Sequence, residues 1–330
     1  MTETKLHSEI YFNELRDYWW NQDFLQLMAQ RWDFKNVESI LDVGCGQGHW
    51  GRLLLKLSER PMTLHGVDSE PKWIEVAREK AAPFSPKHQL HYQMARAEKL
   101  PFPDESFDMV TCQTVLIHVK DPMIAIQEML RVLKPGGLMV AAEPNNAAPG
   151  MSINNLTMED SALEHADFIK FQLICEKGKE ALGEGNNMRG DLIPYYFFKS
   201  GVKHISSYLS DMADYYIPPY DSHREQAGIQ SILEAVEHFI WDKEDTHRYF
   251  RAGGGTESEF QIHWENILKS NKDAADAIKK KELCLPGGAF FYLISGRKNK
   301  DLKSPTLKPR APGELVFGKV LCIGLVQPIS

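Results

Sequence analysis

Leu41-Asp42-Val43-Gly44-Cys45-Gly46-Gln47-Gly48-His49-Trp50, "LDVGCGQGHW", sets three glycines at alternating positions between an apolar run and the start of a helical pattern. Glycine lacks the Cβ that would hold a ligand away from the main chain, and it permits the positive φ needed to turn sharply out of a strand. In an open α/β sheet, ligands lie outside the carboxyl ends of the strands, next to such turns. A nicotinamide dinucleotide fingerprint needs G-x-G-x-x-G, but counting from Gly44 the third glycine is replaced by His49. The spacing therefore argues against a dehydrogenase.

Outward from this turn, short β-rich runs alternate with helical ones from Ser39 to Glu143. The runs "SILDV" (39–43), "MTLHGV" (62–67), "LHYQMA" (90–95), "FDMVTC" (107–112) and "GLMVAAE" (137–143) read as strands. Trp50, Leu53, Leu54 and Leu57 recur at one-face helical spacing, as do Ile126, Met129, Leu130 and Leu133. Pro71 opens a further helix, and "KPGG" (134–137) punctuates the entry to the fifth strand. This alternation predicts an α/β fold, a doubly wound, mainly parallel sheet. Later, "KHISSYL" and "GAFFYLISG" have strand character, while "DLIPYYFFKSGV", "QSILEAVEHFIW" and "ESEFQIHWENIL" read as helices.

Asp42, Gly44, Gly46 and Gly48, as D-x-G-x-G-x-G, resemble the first motif of the class I S-adenosylmethionine-dependent methyltransferases. "GVDSE" and "ARAEKLPFPDESFDMVTCQTVLIHVKDPMIAIQEMLRVLKPGG" resemble the later core motifs of that family in their usual order. The resemblance implies a Rossmann-like, seven-stranded methyltransferase fold and S-adenosylmethionine as cofactor. It implies that Asp68 accepts hydrogen bonds from both ribose hydroxyls, that Gly44, Cys45, Gly46 and Gly48 let the backbone approach the methionine part, and that Ala97 and Glu98 frame adenine. Gln113 corresponds to a position lining the cofactor's amino-acid end. In one departure, Arg96 stands where the family often has an aspartate touching the adenine amino group, and arginine cannot accept that hydrogen bond.

The resemblance divides the chain into an N-terminal helical cover (1–38), a cofactor-binding core (39–145), acceptor-side helical insertions with the closing strands (146–298) and a C-terminal extension (299–330). Arg16 is a candidate for the cofactor carboxylate, and Trp19 and Trp20 for a cofactor shield or simple helix packing. For chemistry, His118 and Glu143 are the candidate catalytic residues: each follows a strand on the crevice side and could take a proton from an acceptor that arrives protonated. Each also has a structural reading, as a helix-cap partner and a backbone binder.

Of 330 residues, 38 are Lys or Arg and 45 are Asp or Glu, so the formal charge of −7 lacks the phosphate-neutralising surplus of a dedicated nucleic-acid binder. No apolar run is long enough to span a bilayer, and the N-terminus has no apolar core of signal-peptide length. Five scattered cysteines without a C-x-x-C pair fit reduced thiols, no metal site and a cytoplasmic location. The expected activity is methyl transfer to a small-molecule acceptor. The alternatives are an RNA or protein methyltransferase with the same core, or a non-catalytic module that binds the cofactor.

Overall fold

The computed structural model of the chain describes residues 16, 18–211, 215–286 and 290–300. The N-terminal segment before Arg16 and the C-terminal segment from residue 301, where an additional edge strand is one expectation, lie outside the described residues. The strands are β1 (Ser39–Val43), β2 (Thr63–Asp68), β3 (Gln89–Met94), β4 (Phe107–Gln113), β5 (Leu133–Asn145), β6 (Lys203–Leu209), β7 (Tyr215–Tyr216), β8 (Leu285–Pro286) and β9 (Phe290–Arg297). Seven of them form one sheet in the order β3-β2-β1-β4-β5-β9-β6, while β7 and β8 pair separately. From β3 to β5 all pairings are parallel, and β9 runs antiparallel between β5 and β6. The "KPGG" segment belongs to β5, where the register against β4 shifts between Phe107 and Met109.

The helices are α1 (Gln22–Arg31), α2 (His49–Leu55), α3 (Pro71–Ala81), α4 (Pro122–Val132), α5 (Ala162–Ala181), α6 (Ile193–Lys199), α7 (His223–Glu234), α8 (Lys243–Ala252) and α9 (Glu257–Lys279). A sheet covered on both faces needs apolar residues on both, which is why the central strands read as continuous apolar runs. Ile40, Leu138, Val140 and Ala142 pack on one face with Trp50 and Leu54 of α2 and Ile74 of α3. Leu41, Val43, Met139 and Ala141 pack on the other with Ile126 and Met129 of α4 and Phe197 of α6. Trp20 is buried in the first of these layers, its ring 5.3 Å from that of Trp50, so it acts in helix packing.

The inserted helices have a core of their own, built from Phe171 and Cys175 of α5, Tyr249 and Phe250 of α8, Phe260 and Trp264 of α9, and Trp241. Helix starts here are set by capping boxes: Ser161 with Glu164 and Thr256 with Glu259. Close packing of α5 on α8 requires a glycine, because a Cβ at Gly178 would lie 1.7 Å from the Tyr249 carbonyl oxygen.

The turn after β4 is gripped from two sides. From below, the Glu143 Oε1 accepts the N–H groups of Val115 (3.0 Å) and Leu116 (2.9 Å). From the side, the buried Arg189 guanidinium donates to the carbonyls of Leu116 (3.1 Å), Val119 and Lys120 (3.3 Å), and the Asn186 N–H donates to Ile117 O at 2.8 Å. Glu143 is fully buried, and burial pushes its carboxyl from 4.5 up to about 7 against the pull of the two backbone donors. The expected crevice-facing base at this position is thus corrected to a backbone anchor, because the end of β5 lies beneath the turn and between two neighbouring strands. Arg189 is committed to this turn and not to solvent.

Gly178→Ala should lower stability by about 1–3 kcal/mol or more, the usual cost of overpacking, in thermal or denaturant unfolding, since α5 and α8 must separate to admit the methyl group. An unchanged midpoint would refute this tight contact. For Glu143 the folded-state value lies above that of the unfolded chain, so its stabilisation is complete below about pH 4.5 and is lost as pH rises towards about 7. Relative to Glu143→Gln, the wild type should therefore lose stability by up to ~1.4 kcal/mol per pH unit across that window. A pH-independent difference between the two midpoints would show that Glu143 is ionised throughout.

Candidate functional site

Parallel register brings the carboxyl ends of β1, β2 and β4 side by side, and a cavity of about 520 Å³ opens there. On the β2 side it is lined by Gly44, Cys45 and Gly46, by Asp68, Ser69, Glu70 and Trp73, and by the run Ala95 to Glu98. Towards β4 and the inserted helices, Gln113, Thr114, Val115, His118, Val119 and Lys120 are joined by Lys179, Gly183, Glu184 and Tyr249, with Arg16 and His49 also lining the space.

Gly44, Gly46 and Gly48 have φ of 65°, 50° and 72°, in the left-handed region. At Gly44, what comes close is the protein itself: a Cβ there would lie 2.4 Å from a methyl of Val115, on the gripped turn after β4. The Gly46 N–H donates to Asp68 Oδ2 at 2.8 Å, and Cys45 N donates to Val67 O at 2.9 Å, so the turn is fastened to the end of β2. Asp42, the acid of the same motif, is buried beneath it with Oδ2 accepting the Gly51 N–H at 3.0 Å; burial pushes its carboxyl up to about 7. Burial also pushes the Cys45 thiol well above its ordinary value, so it is not a nucleophile.

Of the ten residues singled out from the sequence, eight line this one cavity: Gly44, Cys45, Gly46, Asp68, Ala97, Glu98, Gln113 and His118. Two do not. Gly48 sits behind the turn, where a Cβ would meet Arg52 and the Tyr92 hydroxyl at 3.2 Å, so its role is to start α2. Glu143 lies beneath the β4 turn, as described above.

Asp68 uses Oδ2 for Gly46 and Oδ1 for the Glu70 N–H (3.0 Å), leaving each oxygen further lone pairs for hydroxyl donors. Gln113 Nε2 is buried and has no hydrogen-bond partner, an arrangement that costs free energy until a ligand supplies an acceptor. Arg96 is turned to the Glu98 carboxylate at 3.4 Å, and so the backbone of Ala95 to Glu98 remains to meet a base. These features fit an adenosyl ligand with an amino-acid tail. Trp73 was not anticipated, although an aromatic residue just inside the helix that Pro71 opens was the available signal. Lys179 and Tyr249 were also missed, as was Glu184 in the loop after α5, since nothing local in α5 or α8 says which turn of either helix reaches the cavity. Among the described residues, no group of three or more His, Cys, Asp or Glu could hold a metal ion. No helix among them is long and apolar enough to cross a membrane.

The family described as "Methyltransferase domain" matches residues 41–141. Demethylmenaquinone methyltransferase of Staphylococcus aureus (strain MRSA252) is 37% identical over 124 residues, covering 38% of this chain and 48% of that protein. The strain JH9 protein of the same name is 41% identical over 103 residues, 31% of this chain and 42% of that one. The match thus spans about half the length of these curated relatives or less. Among solved structures, the YcgJ protein of Bacillus subtilis superposes with a TM-score of 0.46 at 18% identity, over 84% of this chain and 99% of that one. The matched segment runs from the glycine turn into β5, so residues 41–141 match the methyltransferase-domain family.

Proposed function

We propose that the chain is an S-adenosylmethionine-dependent methyltransferase acting on a small molecule. The observation that carries this is the convergence on one cavity of a bare glycine turn, the Asp68 carboxylate and the unsatisfied Gln113 amide, beside a second wall built by inserted helices. The relatives' activity, methylation of demethylmenaquinone, supports an acceptor that is not a macromolecule.

When bound, S-adenosylmethionine supplies a sulfonium-activated methyl group that is already strongly electrophilic. The chain's own task is then alignment of the acceptor and exclusion of water. In this reading Asp68 accepts the ribose hydroxyls, and the backbone of Ala95 to Glu98 with the Trp73 ring holds the base. The main chain at Gly44 to Gly46 leaves room for the methionine part, while Gln113 Nε2 and Arg16 meet its carboxylate. His118 lines the acceptor side, where its imidazole can take a proton from an acceptor that arrives protonated.

Calorimetric titration should show micromolar or tighter binding of S-adenosylhomocysteine. Asp68→Ala should weaken it tenfold or more, about 1.4 kcal/mol, where the exposed Glu75→Ala does not; no binding by the wild type would defeat the proposal. With labelled donor and cell extract divided into small-molecule, RNA and protein fractions, label should enter the small-molecule fraction and fall at least a hundredfold with His118→Asn. Label confined to RNA or protein would overturn the acceptor class, and an active His118→Asn would remove the base.

A further inference from the structure

Resting on the methyl-transfer reading, the acceptor-side wall specifies the charge of the acceptor. Lys179 of α5 is 2% exposed yet lines the cavity. Its Nζ donates to Glu184 O (2.7 Å), Asn187 Oδ1 (3.2 Å) and, at the limit of a hydrogen bond, Ile117 O (3.5 Å), all of them neutral oxygens. Among the described residues no carboxylate forms an ion pair with it within 4.0 Å. A buried ammonium without an opposite charge is costly, and burial accordingly lowers the Lys179 pKa, with Glu176 pulling the other way.

The acids around Lys179 are otherwise engaged. Both Glu184 oxygens take the Arg248 guanidinium (2.5 and 2.9 Å), and one also takes the Tyr249 hydroxyl (2.7 Å). Asp245 is held by the same Arg248 at 2.7 Å. Glu176, one helical turn before Lys179, accepts the Asn187 N–H at 2.8 Å, and its burial favours the neutral acid. The other nearby cation, Arg189, is occupied by the carbonyls of the β4 turn and lies 3.7 Å from Glu180. Lys120 is the second ammonium on this wall: it is exposed, makes no ion pair among the described residues, and its stem lies over Gly183, where a Cβ would come within 3.3 Å. Two lysines thus line one side of the cavity, two strands across the sheet from Asp68, with no carboxylate committed to either.

We propose that the acceptor carries an anionic oxygen group, a carboxylate or a phosphate, and that Lys179, assisted by Lys120 at the mouth, receives it on this wall. The N–H that makes the longest Lys179 hydrogen bond, to Ile117 O, is the one that turns to donate to the anion. The acceptor's charge is then buried against a cation that already lies in the protein, and a neutral analogue leaves that cation uncompensated.

The test uses the full chain with labelled S-adenosylmethionine and deproteinised extract of the source organism, separated on an anion exchanger into retained and unretained fractions. Label should enter the retained fraction. Lys179→Met should lower that transfer at least tenfold while S-adenosylhomocysteine affinity stays within about twofold, and Lys179→Arg should recover part of it. Lys120→Met, at an exposed position that folding does not depend on, should raise KM several-fold with little change in kcat. Phosphatase treatment of the extract separates the two anions: loss of acceptor identifies a phosphate, persistence a carboxylate. Label only in the unretained fraction, or in neither while S-adenosylhomocysteine binds, overturns the inference. So does a parallel loss of S-adenosylhomocysteine binding in Lys179→Met, which would assign the lysine to the cofactor carboxylate. Failure of the wild type to bind S-adenosylhomocysteine would instead remove the methyl-transfer reading, and this inference with it.

Discussion

The Glu143 carboxylate, buried at the end of β5 and accepting two successive amides of the β4 turn, is the interaction on which the site's geometry depends. It fixes Val115, and Val115 in turn occupies the space where Gly44 has no side chain. The turn after β1 and the turn after β4 are therefore packed on one another rather than merely adjacent. Asp68 completes the chain of contacts by holding the Gly46 amide from the β2 side. The ends of four strands, β5, β4, β1 and β2, are joined in this way.

The inserted helices attach to the same turn through its carbonyls. Arg189 and the Asn186 amide carry the loop that follows α5 onto residues 116 to 120, while Glu143 holds the amides at the other end. A single turn of chain is thus satisfied by donors above and an acceptor below, which is the condition for burying irregular backbone. One consequence is that the wall built by the inserted helices is tied to the wall built by the strand ends. Lys179 and Tyr249 reach the cavity because Gly178 lets α5 and α8 approach at backbone distance.

This arrangement separates two kinds of polar group at the cavity. Asp42 and Glu143 are buried acids that serve the backbone, and their burial favours the neutral form. Asp68 and Gln113 border the space with hydrogen-bonding capacity to spare. Lys120 and Lys179 add positive charge on the side furthest along the sheet from Asp68. A ligand spanning the cavity would meet an acid at one end and cations at the other.

The positions of the core strands, the glycine turn and the gathering of eight candidate residues at one crevice were legible in the sequence, because each rests on a local signal: apolar runs bounded by turns, a motif of fixed spacing, an acid at a strand end. The bounds of β1 agree with the run "SILDV" residue for residue, whereas "QSILEAVEHFIW" ends as helix at Glu234, before its aromatic end. The resemblance set Gly48 beside the ligand, and the strand end left Glu143 open as a crevice-facing base or a backbone binder; the structure puts Gly48 behind the turn and Glu143 beneath the β4 turn, since a strand-end residue faces the crevice or the neighbouring turn according to what packs over it. Nor did local signals disclose Lys179, Glu184 and Tyr249, which come from α5, the loop after it and α8, remote in the chain. By itself the sequence determined which residues form the parallel core and where its strands end, through periodicity and backbone permissiveness. Only the tertiary structure decided which polar groups hold the protein together and which are left to hold a ligand, because that depends on long-range burial and on hydrogen-bond partners far away along the chain.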